Sequence, residues 1–131
     1  MIETGWLPDP EIWHLWPETL ALLETAASRG RCAAWVDGDL LWVAIERGKV
    51  LGVATTRLLD DGRAELKHVA GCQAARWRGK LEAQICEWAR GHKCPAIVSR
   101  GRVGWWPIVR EMGWQMVGND DGLTLFEKDL T

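Results

Sequence analysis

The stretch AARWRGKLEAQICEWAR, residues 74–90, joins a run of cationic side chains to the predicted start of a helix. Free amide groups and the dipole at a helix N-terminus favour phosphate oxygens, and guanidinium groups add charged donors. Cations at this end oppose the dipole unless an anion joins them. The stretch therefore predicts a phosphate site, with a basic helix start that has lost such a site as the alternative. The candidate residues are Arg76, Arg78, Gly79, Lys80 and Leu81.

A second unusual segment is SRGRVGWW, residues 99–106, which holds two glycines, two arginines and two tryptophans. Charge and aromatic rings together suit a cofactor or a nucleic acid. We predict that Arg102 contacts such a ligand and that Trp106 packs on the core. Ser99 and Cys72 are candidates for a proton donor or a contact to a thiol. No Ser-His-Asp or Cys-His pattern is legible, so covalent catalysis is not supported.

Charge is distributed unevenly along a chain whose net charge is −2. Residues 63–110 hold ten Lys or Arg against three Asp or Glu, a balance of +7, and the rest is acidic. A basic segment in an acidic protein indicates a local anion site, with solvated helix faces as the alternative. The overall charge argues against strong nonspecific binding of nucleic acid.

Composition excludes several classes of protein. The four cysteines form no C-x-x-C pair, so we predict no metal site and expect most of them to be small core residues. No apolar run is long enough for a membrane span. The N-terminus lacks a signal-peptide pattern, so we expect a cytoplasmic protein with reduced thiols. Ten of the eleven aromatic residues are Trp and none is Tyr, which excludes a tyrosine acid.

The elements that must position these residues follow from the hydrophobic pattern of a single domain, residues 1–131. Strand-like runs at 40–46, 49–58 and 63–70 are separated by the turns RGK and DDG. A helix through 81–89, a buried strand at 96–99, a short helix in WWPIVREMG and a hairpin around NDDG complete the pattern. At the N-terminus, Asp9 is predicted to cap a helix at Pro10, and Pro17 to start another. The predicted order is α–α–β–β–β–α–β–α–β–β, a mixed α+β domain with a strand–helix–strand crossover at 63–99 and flanking helices.

This order resembles the GCN5-related N-acetyltransferase (GNAT) fold over roughly residues 35–128. In that family a mostly antiparallel sheet leads into a loop of pattern Q/R-x-x-G-x-G/A, which Arg76 and Gly79 match and Leu81 does not. WWPIVREMGWQMVG and LTLFEKDL look like the closing segments of the fold. Small phage- and prophage-encoded GNAT-like proteins, some of them internal virion proteins, are similar in LLWVAIERGKVLGVATT, GCQAARWRGKLEAQICEWAR and GRVGWWPIVREMGW.

The resemblance implies acetyl-CoA or another acyl-CoA as cofactor and an unidentified amine as acceptor. The loop would then bind the cofactor phosphates, and the backbone near Val69 would orient the cofactor. Glu65 would accept the proton of the amine, unless it is a surface residue paired with a neighbour, and His68 is a second candidate base. An enzyme should show a V-shaped opening between residues 63–70 and 96–99, lined by Arg76 and Gly79. Because Leu81 and the missing Tyr depart from the family pattern, the alternative is a non-catalytic protein that binds a protein partner in a virion or host cytoplasm.

Overall fold

The computed structural model describes residues 1–30 and 33–131, which contain one seven-stranded sheet with helices on both faces. The strands run in the order β1-β2-β3-β4-β5-β7-β6 across the sheet. All neighbours are antiparallel except β4 and β5, which are parallel. The strands are β1 Glu3–Leu7, β2 Leu40–Glu46, β3 Lys49–Leu58, β4 Ala64–Gly71, β5 Ala96–Gly101, β6 Gln115–Asp120 and β7 Leu123–Asp129. The predicted mixed α+β class and mostly antiparallel sheet are confirmed.

Three helices cover the sheet: α1 Trp16–Gly30, α2 Arg78–Gly91 and α3 Trp106–Glu111. Leu23 of α1 packs on one face, against side chains of β2 and β3. Leu81 and Ile85 of α2 pack on the other face, in a core that α3 also joins. Alternation along the strands supplies both faces, since Leu41 points to one core and Trp42 to the other. Among the described residues, no helix is long and apolar enough to cross a membrane.

The hairpin predictions agree with the structure because their sequences suit tight turns. Arg47 and Gly48 connect β2 to β3 with φ of 52° and 75°. Asp121 and Gly122 connect β6 to β7 with φ of 49° and 83°. Two consecutive residues with positive φ form the turn whose twist matches that of an antiparallel strand pair.

The N-terminal segment differs from the sequence-based prediction. Glu3–Leu7 forms an edge strand along β2, which the prediction omits. A single 3₁₀ turn at Pro10–Ile12 replaces the first predicted helix, and Asp9 makes no side-chain cap. The strand depends on pairing with residues about forty positions away, which a local pattern does not reveal. The order is therefore β–α–β–β–β–α–β–α–β–β.

The cysteines fall partly in the core. Cys86 and Cys94 are buried, as the composition predicts, whereas Cys72 is exposed. Burial raises the pKa of the thiols of Cys86 and Cys94, which keeps both protonated at neutral pH. Cys32 lies outside the described residues.

Candidate active site

A V-shaped cleft opens where β4 and β5 stop pairing. Their parallel ladder ends at the Leu66–Ser99 rung. The register of β4 against β3 shifts between Leu66 and His68, which leaves Lys67 as the extra residue of a β-bulge. A bulge bends and twists its strand, so β4 turns away from β5. The resulting cleft has a volume of about 470 Å³, within the ~300–1,000 Å³ usual for small-molecule sites.

Elements from both sides of the sheet line this cleft. Residues 66–71 of β4 and 99–101 of β5 form its two arms. Helix α2 contributes Arg78, Leu81, Glu82 and Ile85, while α1 closes the opposite side. Most of the surface is apolar, with the charged side chains grouped along its length. The cleft therefore offers an elongated channel with cationic groups rather than a round apolar pocket.

The backbone of Val69 faces this channel. Cys72 donates its N–H to Leu51 O across the β3–β4 pair, at 2.8 Å. Alternate residues of a strand direct their peptide groups to opposite sides, so in this register Val69 directs its N–H and C=O away from β3. The neighbour on that side is β5, which has already diverged. Val69 therefore presents a donor and an acceptor to any ligand in the cleft.

Helix α2 begins at the mouth of the cleft and leaves its first amide groups unpaired within the helix. Its first hydrogen bond runs from Leu81 N to Trp77 O, 3.0 Å, so the N–H groups of Arg78, Gly79 and Lys80 precede it. No acidic side chain lies in the first turn, and no side chain caps it. Arg78 lines the cleft, whereas Gly79 and Lys80 are exposed. This end can accept an anion.

Trp77 fixes the start of that helix. Its ring is 1% exposed, and Nε1 donates to Cys72 O at 2.8 Å. A Cβ at Gly52 of β3 would overlap the ring, so the glycine is required for the ring to lie flat on the strand. This role of Trp77 was not predicted from the sequence. The glycine inside an apolar strand is the signal for such a close approach.

Leu81 and Arg76, both predicted to bind a phosphate, occupy other positions. Leu81 is 2% exposed and forms part of the core that α2 builds with the sheet. Arg76 forms a two-pronged ion pair with Glu46 of β2, at 2.7 Å and 3.1 Å, and also donates to Gln73. The Arg76 guanidinium holds the pKa of Glu46 below its usual value. A phosphate would have to displace that carboxylate to bind Arg76.

The predicted catalytic residues, Glu65 and Ser99, line two different cavities. Glu65 accepts a hydrogen bond from Arg57 Nε, 2.9 Å, and lines a smaller cavity of about 140 Å³ next to the cleft. This is the cross-strand pairing that the sequence left open as an alternative. Ser99 lines the closed end of the cleft, where its hydroxyl donates to Leu66 O at 2.8 Å.

Glu82 also lines the cleft and was not predicted from the sequence. Its Oε1 accepts from Lys128 Nζ at 2.6 Å and from Trp114 Nε1 at 3.1 Å. The side chain is 14% exposed and lines the cleft. The apolar residues Cys86 and Ala89, four and seven positions later, were the signal that this helix face is also covered.

Two residues of the bulge hold the segment between α1 and β2. Lys67 Nζ pairs with Asp39 Oδ2 at 2.6 Å, with the side chains 6% and 0% exposed. His68 lies 2.9 Å through Nε2 from Ala33 O. Because a carbonyl oxygen can only accept, Nε2 carries the proton in this contact. Both Lys67 and His68 also line the cleft, so the bulge shapes the cleft and fixes the segment beside it.

Two residues of the SRGRVGWW segment, Arg102 and Trp106, lie in different surroundings, as the sequence predicted. Arg102 and Trp105 line the cleft. Trp106 instead stacks on Phe126, with ring centroids 6.4 Å apart and planes at 11°. The segment thus supplies Arg100 and Arg102 to the same cleft as Arg78.

The comparisons with known proteins identify the architecture. No protein-family model matches the chain, and no curated protein matches it in sequence. Solved structures do match in fold. The IAA acetyltransferase of Bacillus cereus has a TM-score of 0.75 at 17% identity, covering 98% of this chain and 99% of that one.

Two further structures agree. An acetyltransferase of the GNAT family from Staphylococcus aureus has a TM-score of 0.73 at 12% identity, covering 100% of both chains. The PaiA N-acetyltransferase of Thermoplasma acidophilum, solved in complex with coenzyme A, has a TM-score of 0.76 at 9% identity, covering 98% of this chain and 99% of that one. The chain therefore has the fold of the GNAT acetyltransferases.

Proposed function

We propose that this protein is an N-acyltransferase that takes its acyl group from acetyl-CoA or a related acyl-CoA. The observation that carries the proposal is the cleft that begins at the Leu66–Ser99 rung and runs to the N-terminus of α2. A cleft that combines the backbone groups of Val69, the N-terminus of α2 and the side chains of Arg78 and Arg102 suits a thioester joined to a phosphorylated carrier. The likeness to structures of N-acetyltransferases supports the same assignment.

The phosphates would lie at the α2 end of the cleft. The amides of Arg78, Gly79 and Lys80 would donate to them, and Arg78 and Arg102 would neutralise part of their charge. Arg76 would join after release from Glu46. The peptide groups of Val69 would hold the carrier arm in the manner of an added strand. The acyl group would then reach the closed end of the cleft, near Ser99.

The reaction would be direct attack of an amine nitrogen on the thioester carbonyl carbon. A C–N bond forms and the C–S bond breaks, with the thiolate taking a proton from solvent because the chain contains no Tyr. Among the described residues that line the cleft, His68 and Glu82 have side chains of the types that act as general bases. Glu82 already holds Lys128 and Trp114. We therefore assign proton acceptance to His68, with Glu65 reaching the amine only from the adjoining cavity.

A coupled assay of CoA release tests this function. The purified chain is mixed with acetyl-CoA and a panel of primary amines, and free thiol is measured. We expect turnover with at least one amine, a loss of about 100-fold in His68→Gln, and a smaller loss in Glu65→Gln. Arg63→Gln, which alters an exposed pair with Asp61, serves as the matched control. If His68→Gln releases CoA as fast as the wild type, His68 is not the proton acceptor.

The second candidate is a GNAT-fold protein without chemistry, such as a phage or prophage component that binds a protein partner. Two observations favour it: Leu81 is committed to the core, and Arg76 is committed to Glu46. In that case acetyl-CoA should neither bind nor turn over. The CoA-release assay and a direct binding measurement separate the two candidates.

A further inference from the structure

The small cavity next to the cleft is placed to receive the acceptor amine. Its volume is about 140 Å³, and it shares Leu66, Lys67 and Arg100 with the closed end of the cleft. An acyl group at that end would therefore lie beside whatever occupies this cavity. The inference rests on the proposed acyl transfer and concerns which amines the protein accepts. We call this space the acceptor cavity, defined by Ala33, Val36, Arg57, Glu65, Leu66, Lys67 and Arg100.

Both signs of charge face the acceptor cavity. Glu65 contributes a carboxylate that is 15% exposed, and Arg57 and Arg100 contribute guanidinium groups that are 43% and 41% exposed. Lys67 adds little net charge because its ammonium is paired with buried Asp39 at 2.6 Å. The cavity therefore presents one carboxylate and two guanidinium groups, of which Glu65 and Arg57 contact each other at 2.9 Å.

The guanidinium groups keep donors for a ligand. Arg57 contacts Glu65 through Nε, and among the described residues no acceptor lies within reach of its two terminal nitrogens. Arg100 donates through Nη1 to Asp120, whose side chain is 51% exposed. Exposed ion pairs of this kind contribute little, so a carboxylate entering the cavity can replace Asp120. Two planar forks converging on one space suit a carboxylate.

The size of the acceptor cavity limits the ligand. A water molecule occupies about 30 Å³ in the liquid, so a volume of 140 Å³ suits a small or medium amino acid rather than a nucleotide. Ala33, Val36 and Leu66 give the cavity an apolar side. The contacts of Lys67 with Asp39 and of His68 with Ala33 hold the segment that carries Ala33 and Val36 in place.

We propose that the acceptor is a small primary amine that also carries a carboxylate, such as an amino acid. Arg57 and Arg100 bind the carboxylate, Glu65 holds the amino group, and the apolar wall receives the side chain. The amine loses a proton to His68, and its nitrogen then attacks the thioester carbonyl carbon. The new C–N bond replaces the C–S bond, the CoA thiolate takes a proton from solvent, and the products are an N-acylated amino acid and CoA.

Matched acceptors test this assignment. CoA release is measured for a set of L-amino acids and for the corresponding L-amino acid amides, which keep the amine and lack the carboxylate. We expect kcat/KM for the best amino acid to exceed that for its amide at least tenfold. Arg100→Gln and Arg57→Gln should remove this preference by raising KM for the amino acid more than KM for the amide. Arg63→Gln, whose partner Asp61 lies outside the acceptor cavity, should keep the preference.

The outcomes separate this inference from the acyltransferase assignment. If amides and simple alkylamines are acylated as well as amino acids, the acceptor assignment is wrong and the acyltransferase stands. If acetyl-CoA binds but neither arginine variant changes the preference, the assignment of Arg57 and Arg100 is wrong. If acetyl-CoA does not bind at all, both proposals fail. Because Arg57 contacts Glu65, thermal unfolding of each variant checks the fold, and the exposed Arg100 provides the variant least able to disturb it.

Discussion

The two halves of the sheet are built differently, and the cleft lies between them. In the half formed by β1 to β4, four consecutive residues of β2, Leu41 to Ala44, are buried because α1 and α2 cover opposite faces. In the half formed by β5, β7 and β6, every residue of β6 is exposed. Ile97 and Phe126 of this half join the core, while its edge carries surface ion pairs such as Arg100–Asp120. One half supplies most of the core, and the other supplies an open wall.

The difference explains how the sheet can split without losing the fold. The halves share three paired rungs, of which Leu66–Ser99 is the last, reinforced by the Ser99 hydroxyl. Because the core residues of α2 already bury the first half, β4 can leave β5 beyond the bulge at Lys67. Stability is concentrated where α1 and α2 sandwich the sheet, and ligand access is concentrated where the second half diverges. Substitutions in the two halves should therefore have different consequences.

The largest expected effect comes from filling the backbone gap under Trp77. Gly52→Val places side-chain atoms inside the space that the Trp77 ring occupies, and we expect a loss of unfolding free energy of about 4 kcal/mol. Urea denaturation measures it. Gly5→Ala in β1, where a Cβ meets nothing within 4 Å, is the control and should change stability by less than about 1 kcal/mol. If Gly52→Val is no less stable than the Gly5→Ala control, the claim that the β1 to β4 half is tightly packed is wrong.

Leu81→Gly tests whether the departure from the family loop pattern belongs to the core or to the cofactor site. Leu81 is 2% exposed, so we expect a loss of about 4 kcal/mol from the cavity and the weaker helix propensity. We also expect no gain in acetyl-CoA affinity, measured on the folded fraction by calorimetry. A variant that binds acetyl-CoA more tightly would show that Leu81 obstructs the site.

The stability of the protein should also depend on the charge of Lys67, the bulge residue at which β4 leaves β5. Lys67→Met leaves Asp39 buried with an unpaired carboxylate, and breaking such a pair destabilises by about 3 kcal/mol. Arg63→Met, which removes an exposed partner of Asp61, should change stability by less than about 1 kcal/mol. Thermal unfolding of both variants gives the comparison, and equal effects would contradict the buried role of Lys67.

The smallest effect should be at the Arg76–Glu46 pair on the surface. Arg76 binds the charged form of Glu46 and so holds the pKa of that carboxyl below its usual value. A lowered pKa in the folded state means that the pair stabilises the fold above the unfolded-state pKa. This contribution is lost as the pH falls through the folded-state pKa. In Arg76→Ala the Glu46 pKa should rise, which an NMR titration of the carboxyl carbon detects; no change would show that the pair is absent in solution.

Local sequence patterns predicted most helices and strands but not the long-range contacts that position the site residues. Helix α2, the hairpins at Gly48 and Gly122, and the opening between β4 and β5 follow from periodicity, turn residues and the resemblance to a known fold. Strand β1 was missed because it exists through pairing with β2. The bulge at Lys67 was not predicted because a register shift is a property of two paired strands and does not show in the sequence of one of them.

The site residues show the same limit. Arg76 carries the right charge at the right place in the loop, yet its partner Glu46 lies thirty residues earlier in the chain. Glu82 was not predicted as a site residue because the sequence of α2 does not show that Trp114 and Lys128 contact it. By contrast, Arg78, Arg102 and Ser99 line the cleft, since a helix start and a strand end fix their positions with little dependence on distant partners.

Binding of acetyl-CoA tests the central claim that the cleft between β4 and β5 is an acyl-CoA site. Calorimetry is performed on the wild-type chain, on Arg78→Ala, and on the Arg63→Ala control. We predict micromolar binding to the wild type, at least tenfold weaker binding to Arg78→Ala, as expected for loss of a charged hydrogen bond to phosphate, and no change in Arg63→Ala. No heat of binding at millimolar acetyl-CoA, or equal affinity in all three proteins, would contradict the claim.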